Sequence, residues 1–460
     1  MNLVFILFLA TVFLSPVPFG LVQNLFQAIF ACVFFGLAAV YCMMRMARGR
    51  GPVVGLAGIW PESAMFFLVI LWAVFQMVSF TPAAWHHPMW EEAAAILQRD
   101  VSGGINIAKG GGYASLIRML SYAAVFWLAL QFGRDRQKAR LVLWGISAAG
   151  TLYAVYGLTM HFGGFGMILW VEQPQVMENV TGTFVNRNNF ATYMGLSLLC
   201  ALGLYLAGFS KALDSRRVGK DRVLHLLHQA FVHGAPLLAC ILVMLTALFM
   251  SNSRGGVISA LAALSVMVAL LGGKMGLRSR FYRVVAVSLV FVVIGAFVSS
   301  GDGWMARLTG TALQHETRLQ AFQETWHAIR LAPVSGYGLG SYEVAFSMFA
   351  DTNTIGFRKA HNDWLEMMFE LGIPAAVLWF AVWGGLALRC LAGFQRRRRD
   401  HVYPVTGFCA CLLVGLHAMV EFSLQIPAVA ITTALLLGTG VGGSWRSRPQ
   451  LKGSALTEGG

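Results

Sequence analysis

Charge is scarce in this chain. Asp, Glu, Lys and Arg make up 12% of its 460 residues, about half of the ~25% usual in a soluble domain, which excludes an ordinary soluble fold. Acidic residues are the scarcer sign, 20 against 34 Lys and Arg, for a formal net charge of +14. Disorder is excluded by the opposite excess, 57% hydrophobic residues. Cysteine is sparse and badly placed for covalent work. Cys32, Cys42, Cys200, Cys240, Cys390, Cys409 and Cys411 all fall in apolar runs, and the last two lack CxxC spacing. That excludes a disulfide framework and leaves buried apolar roles. No GxSxG and no P-loop occurs. Val334-Ser-Gly-Tyr-Gly-Leu-Gly-Ser341 is glycine-rich, but it has neither GxGxxG spacing nor a preceding strand, so it reads as a tight loop with a substrate-hugging role for Gly338. The first residues lack the positive region of a cleavable signal, so Met1 to Phe19 reads as an uncleaved span. No internal repeat marks an inverted-repeat transporter.

What the chain has is apolar runs of about 18 to 22 residues, the span of a bilayer. They fall near 3–19, 22–44, 64–81, 113–132, 141–161, 189–209, 235–252, 255–272, 283–299, 373–392, 404–422 and 427–443. Lipid offers no partner to unpaired backbone groups, so these twelve runs predict helices. The expected fold is an all-α polytopic membrane protein with about 12 transmembrane helices. Lys and Arg concentrate in alternate gaps, at Arg45–Arg50, Arg134–Arg140, Lys211–Arg222, Lys274–Arg283 and Arg396–Arg399, and in the tail at Arg446, Arg448 and Lys452. By the positive-inside rule these gaps and both termini are cytoplasmic. The surplus is thus a topology signal and not a nucleic-acid footprint. The organisation predicted is N-terminal helices over 1–181 with an external loop at about 82–112, a transmembrane core over 182–443 with a long external loop at about 300–372 that contains short helices, and a flexible cytoplasmic tail over 444–460.

Loops this long carry structure or function of their own. In the second, Leu319, Phe322, Trp326 and Ile329 recur at 3, 4 and 3 within Glu316–Ala332, the stripe of a surface helix. The external arginines stand out because the inside-positive bias disfavours them. Arg254 lies in Ser251-Asn-Ser-Arg-Gly-Gly256, where Gly255 and Gly256 let a ligand approach the backbone; Arg318 lies in the surface helix; Arg187 lies in Gly182-Thr-Phe-Val-Asn-Arg-Asn-Asn-Phe190. Guanidinium groups pair their N–H donors with phosphate oxygens and stay charged, so the cluster suits a phosphate-bearing ligand at the membrane. His361 opens His361-Asn-Asp-Trp-Leu-Glu-Met-Met-Phe-Glu-Leu-Gly372, and an imidazole is the side chain best suited to a general base. At helical spacing Asp363, Glu366 and Glu370 share one face, read as solvated. His225, His228 and His233 lack the ligand set of a metal site.

In their order, these segments resemble the O-antigen ligase superfamily of bacterial inner-membrane proteins. The carriers are Gly182–Tyr193, Ser251–Gly256, Arg318 with Trp326, Pro333–Gly340, His361-Asn362 with Glu370–Gly372, and His417-Ala-Met-Val-Glu-Phe422. The resemblance implies a periplasm-facing glycosyltransferase that takes a glycan from undecaprenyl pyrophosphate, without cofactor or metal. The acceptor is lipid A–core in ligases, another repeat unit in polymerases and a protein in O-oligosaccharyltransferases. Arginines matching Arg254 and Arg318 bind the pyrophosphate, and the histidine matching His361 is the base or the group that positions the acceptor. Arg187, Asn186, Asn188, Asn362 and Gly338 fall in the matching segments as substrate-binding candidates. Glu421 stands where an Asp is expected, so the resemblance assigns His417 and Glu421 no role. Two other readings stay open, an anionic-solute transporter using Arg118 and Arg389, both inside spans, and a non-enzymatic subunit of export machinery.

Overall fold

The computed structural model describes residues 1–173, 177–213, 219–274, 304–397 and 399–445. Helices dominate: α1 Asn2–Leu14, α2 Asn24–Met46, α3 Trp60–Met77, α4 Met89–Leu97, α5 Lys109–Phe132, α6 Arg136–Phe162, α7 Arg187–Leu213, α8 Gly219–His228, α9 Ala235–Met250 and α10 Arg254–Lys274. After them come α11 Trp304–Leu331, α12 Asp363–Leu371, α13 Ile373–Arg396, α14 Val402–His417 and α15 Pro427–Ser444. A two-strand hairpin, Met167–Ile168 with Val171–Glu172, is the exception. The starts follow local chemistry. Asp135 caps α6, its Oδ1 accepting from the backbone N–H groups of Gln137 and Lys138. Pro236, Pro374 and Pro427 sit in the first turns of α9, α13 and α15, where a missing N–H costs nothing.

The chain is an all-α polytopic membrane protein. Among the described residues, eight helices are long and apolar enough to cross a bilayer, and α1, α9 and α14 are shorter apolar helices. These eleven match eleven of the twelve predicted spans; the run near 283–299 and the tail from 446 lie outside the described residues. Helix α15 is the axis of the bundle, with every residue from Pro427 to Gly443 buried. It packs against α5 and α14 through small residues that let backbones approach, since lipid gives helices no hydrophobic reason to associate. At the α14–α15 crossing, a Cβ added to Gly440 would lie 3.0 Å from Gly407 Cα. Helix α3 packs on α13, and α7 on α6, α9 and α10.

The two ends of the bundle differ. At one end Arg136 pairs with Asp400 at 2.8 Å. There Lys274 donates to the carbonyls of Phe394, Gln395 and Arg397 at the end of α13, and Arg397 to those of Gly443 and Trp445 after α15. Cations here meet the negative ends of helix dipoles. Among the described residues, the basic gaps after α5, α10 and α13 thus converge on one end. The other end gathers the starts of α7, α10 and α15, the end of α14, and α11 and α12.

One expectation changes. The acidic face of α12 is not solvated: Asp363, Glu366 and Glu370 are all buried, because this short helix wedges between α11, α13 and the end of α14. The buried side of α11 runs through Ala321, Thr325, Ala328 and Ile329, while Leu319 and Trp326 of the expected stripe remain exposed. The two intramembrane arginines have protein partners. Arg389 Nε lies 2.5 Å from Glu62 Oε1, and Arg118 donates to Ser115 Oγ at 2.6 Å and to Gln27 Oε1 at 3.4 Å.

Candidate functional site

The site forms where the loop after α14 meets the segment before α12. Asn362 builds the local fold. Its Oδ1 accepts from the N–H groups of Trp364 and Leu365 at 3.0 and 3.1 Å, capping α12, and its Nδ2 donates to the Met419 carbonyl at 3.0 Å. The Asp363 N–H donates to the Ala418 carbonyl at 2.9 Å, and Asp363 Oδ2 accepts from the N–H of Leu424 at 3.0 Å. These bonds lock the two segments together. They force His361 into a left-handed conformation, φ 50°, sparsely populated for a histidine.

Held this way, His361 Nδ1 lies 3.1 Å from Glu421 Oε1, with the ring edge-on to Phe422 and Phe357. Glu421 is 1% exposed. Its Oε2 accepts from Asn188 Nδ2 in the first turn of α7, and its Oε1 also accepts from the Phe422 N–H at 3.2 Å. Burial pushes the Glu421 carboxyl up, but the hydrogen bond and charge of His361, then the charges of Arg318 and His417, bring it below the ordinary carboxylate value. It is therefore an anion at neutral pH. Because the facing carboxylate oxygen is an acceptor, the neutral tautomer that fits carries its hydrogen on Nδ1 and leaves the Nε2 lone pair for a ligand. Side-chain exposure of 21% leaves the imidazole within reach of a ligand.

His417 is a buried neighbour with a different role. Its Nδ1 lies 2.7 Å from Thr192 Oγ1 and 3.2 Å from Ser423 Oγ, and Ser423 donates to Asn189 Oδ1. This network ties α14 to α7. Gly255 makes room for it: a Cβ there would stand 3.1 Å from His417 Cδ2 and 2.9 Å from a Val420 methyl. The glycines of the Ser251–Gly256 turn thus admit protein, His417 and Ala191, where the sequence suggested a ligand. The turn is pinned to the loop before α7, since Asn179 Oδ1 accepts from both Arg187 Nη1 and Asn252 Nδ2 at 2.9 Å. Arg254 opens α10 there and is exposed.

The predicted residues therefore divide. His361, Asn188 and Arg318 join one electrostatic cluster around Glu421. Arg187 and Arg254 belong to the adjoining turn. Asn186 caps α7, its Oδ1 accepting from the Asn188 N–H at 2.8 Å. Gly338 takes part in a separate packing node. With φ 102° it stacks on Asn106, where a Cβ would collide, and its N–H donates to the Glu370 carbonyl. Below α12, Lys359 Nζ pairs with Glu366 at 2.9 Å, and burial raises the Glu370 carboxyl to about 7 and lifts Asp363 well above the usual range. Neither the buried acids nor the Glu421–His361 pair was assigned from sequence. The separation of 60 residues hides the pair, and the helical spacing of the acids is equally that of a wet face.

Residues 239–380 match the family model described as O-Antigen ligase. This segment is similar to the O-antigen ligase family. The ligase segment includes Arg254, Arg318, Gly338, His361 and Asn362, and it ends before Glu421 and His417. The cluster is thus completed by residues on both sides of it, Asn188 before and Glu421 after. No curated protein matches the chain. The ligase segment, set in a polytopic membrane fold, supports a glycan-transfer role of the ligase or polymerase type.

Proposed function

We propose that the protein moves a glycan from undecaprenyl pyrophosphate to an acceptor hydroxyl at the periplasmic face of the bacterial inner membrane. The acceptor favoured is lipid A–core, which makes the protein a surface-polysaccharide ligase. The observation that carries this reading is the His361–Glu421 pair, whose carboxylate also feels the Arg318 charge. Glu421 fixes the tautomer of His361, and Nε2 takes the proton of the acceptor hydroxyl. The acceptor oxygen forms its bond to the anomeric carbon while the bond to the pyrophosphate oxygen breaks. Negative charge then grows on the leaving pyrophosphate, and Arg254 and Arg318 neutralise it as fixed cations. The partners required are the lipid-linked donor, the acceptor and the surrounding bilayer lipid.

The Arg389–Glu62 ion pair accounts for one of the two intramembrane charges without a solute pathway, which favours transfer over transport. The deciding experiment is the glycan profile of a deletion strain. Lipid A–core that lacks polymer, with polymer still on the lipid carrier, is the expected result. Single repeat units on the carrier would make the protein a polymerase. Unchanged glycans with lost uptake of an anionic solute would make it a transporter.

A further inference from the structure

A cavity of about 400 Å³ lies between α5, α12, α13 and α14, within the ~300–1,000 Å³ usual for ligand pockets. Its walls are almost wholly apolar, including Trp364, Trp379, Phe380 and Phe408. On α14 its lining runs from Ala418 to Phe408, about 15 Å of helix and half of the ~30 Å hydrocarbon core. Gly384 and Leu388 line it and are exposed on the lipid-facing flank of α13, Leu388 by 63%. The slot therefore opens sideways into the bilayer. Its polar residues are Ser115, Arg118, Tyr122, Asp363, Glu370 and Gln425, and Arg118 is the one Lys or Arg on its lining. Asp363 and Trp364 follow His361 by two and three residues, so the slot adjoins the proposed base.

We propose that this slot seats a hydrocarbon chain of the lipid acceptor, an anionic glycolipid whose charge is drawn towards Arg118. The inference rests on the transferase reading above. Three observations carry it. The mouth faces lipid and not water, as a chain entering from the bilayer requires. Arg118 is the one basic side chain on a mostly apolar lining, and burial raises the carboxyls of Asp363 and Glu370 that share it, so the slot suits a chain attached to an anionic head. The slot also lies apart from the arginines of the donor site: no residue of α7, α10 or α11 lines it. A direct displacement places the incoming hydroxyl and the departing pyrophosphate on opposite sides of the anomeric carbon. The two lipids should then approach His361 from different sides, and a slot walled by α5, α13 and α14 is the approach left to the acceptor. A second cavity of about 550 Å³ shares Met119, Tyr122, Trp379 and Trp383 with it, which gives a longer or second chain room to continue.

The test fills the slot at glycines that tolerate it. A Cβ at Gly384 meets nothing within 4 Å, and one at Gly415 meets only Trp364, at 3.9 Å. In full-length protein, Gly384→Phe and Gly415→Leu should raise KM for lipid A–core on the order of tenfold with the donor KM unmoved. The loss should be at least tenfold smaller with core oligosaccharide freed of its acyl chains. A raised donor KM would give the slot to the donor's tail, and equal losses with both acceptors would mean a structural effect; either result overturns the proposal. Native mass spectrometry of protein incubated with lipid A–core reads occupancy without turnover. One lipid bound to wild type and lost from both variants upholds the slot even if no transfer is seen, in which case only the transferase reading fails. Equal retention by wild type and variants overturns the slot.

Discussion

His361 and Glu421 meet at 3.1 Å across 60 residues of chain, an imidazole in a left-handed turn against a carboxylate sealed from water. Glu421→Gln tests what the carboxylate does. An amide has nearly the same shape but no charge, so it would no longer stabilise the imidazolium that forms as His361 takes the acceptor's proton. Transfer should fall by about 10²–10⁴, with membrane abundance retained. Glu421→Asp keeps the anion and should recover part of the loss. Activity of Glu421→Gln within a factor of two of wild type would remove the pair from the mechanism.

The arginine prediction separates charge from geometry. Arg254→Ala and Arg318→Ala should each reduce transfer by about 100-fold or more, measured per unit of protein in the membrane. Arg318→Lys keeps the charge but loses the paired donors, so it should fall between wild type and Ala. Because Arg318 also acts on Glu421 and His417, its removal should shift the pH profile of transfer as well as its height. A profile that drops without shifting would limit Arg318 to the leaving group.

Glu370 provides a pH effect on stability. Burial, then the Glu366 charge, raises its carboxyl from 4.5 to about 7. Between those values the folded state keeps a proton that the unfolded state has lost, so stability falls as pH rises. The contribution is full below about pH 4.5 and is lost through about pH 7. Asp363 is shifted in the same direction and adds to the slope. Glu370→Gln should therefore flatten, without abolishing, the fall of Tm between pH 5 and 8 in detergent. An unaltered slope would show that Glu370 is ionised in the folded protein.

Much of this arrangement was legible in the sequence, and the reason is physical. Lipid permits few folds, so apolar runs and the Lys/Arg bias located eleven helices and sorted their ends before any contact was known. Motif order drew attention to His361, Arg254 and Arg318. What the sequence hid is what a residue's neighbours decide. Asp363, Glu366 and Glu370 have the spacing of a solvated stripe, and only the wedge of α12 between other elements buries them. Asn186, Asn188 and Asn362 read as ligand-binding amides, yet Asn186 and Asn362 cap helices and Asn188 holds Glu421. Gly255 and Gly338 read as openings for substrate, and both are filled by protein.

The helix crossing offers a stability test away from the site. At Gly440 a side chain would press on the Gly407 backbone and on Cys390 Sγ, 2.9 Å from the new Cβ. Gly440→Val should cost about 1–3 kcal/mol or more, as overpacking does, and lower Tm in detergent. Gly384→Ala, which meets open space, is the matched control and should leave Tm within error.

Sidedness is the last expectation, and the mechanism depends on it. Lys274, Arg136 and Arg397 gather at the end of the bundle opposite His361, and the positive-inside rule places that end in the cytoplasm. Thr352 lies on the exposed loop between α11 and α12, at the same end as the site. A phosphatase fusion ending at Thr352 should be active, because that enzyme works only outside the cytoplasm, and one ending at Gly49, in the basic turn after α2, should be silent. The reverse pattern would put His361 on the face where no lipid-linked glycan awaits transfer to the cell surface, and the donor proposed here would have to be abandoned.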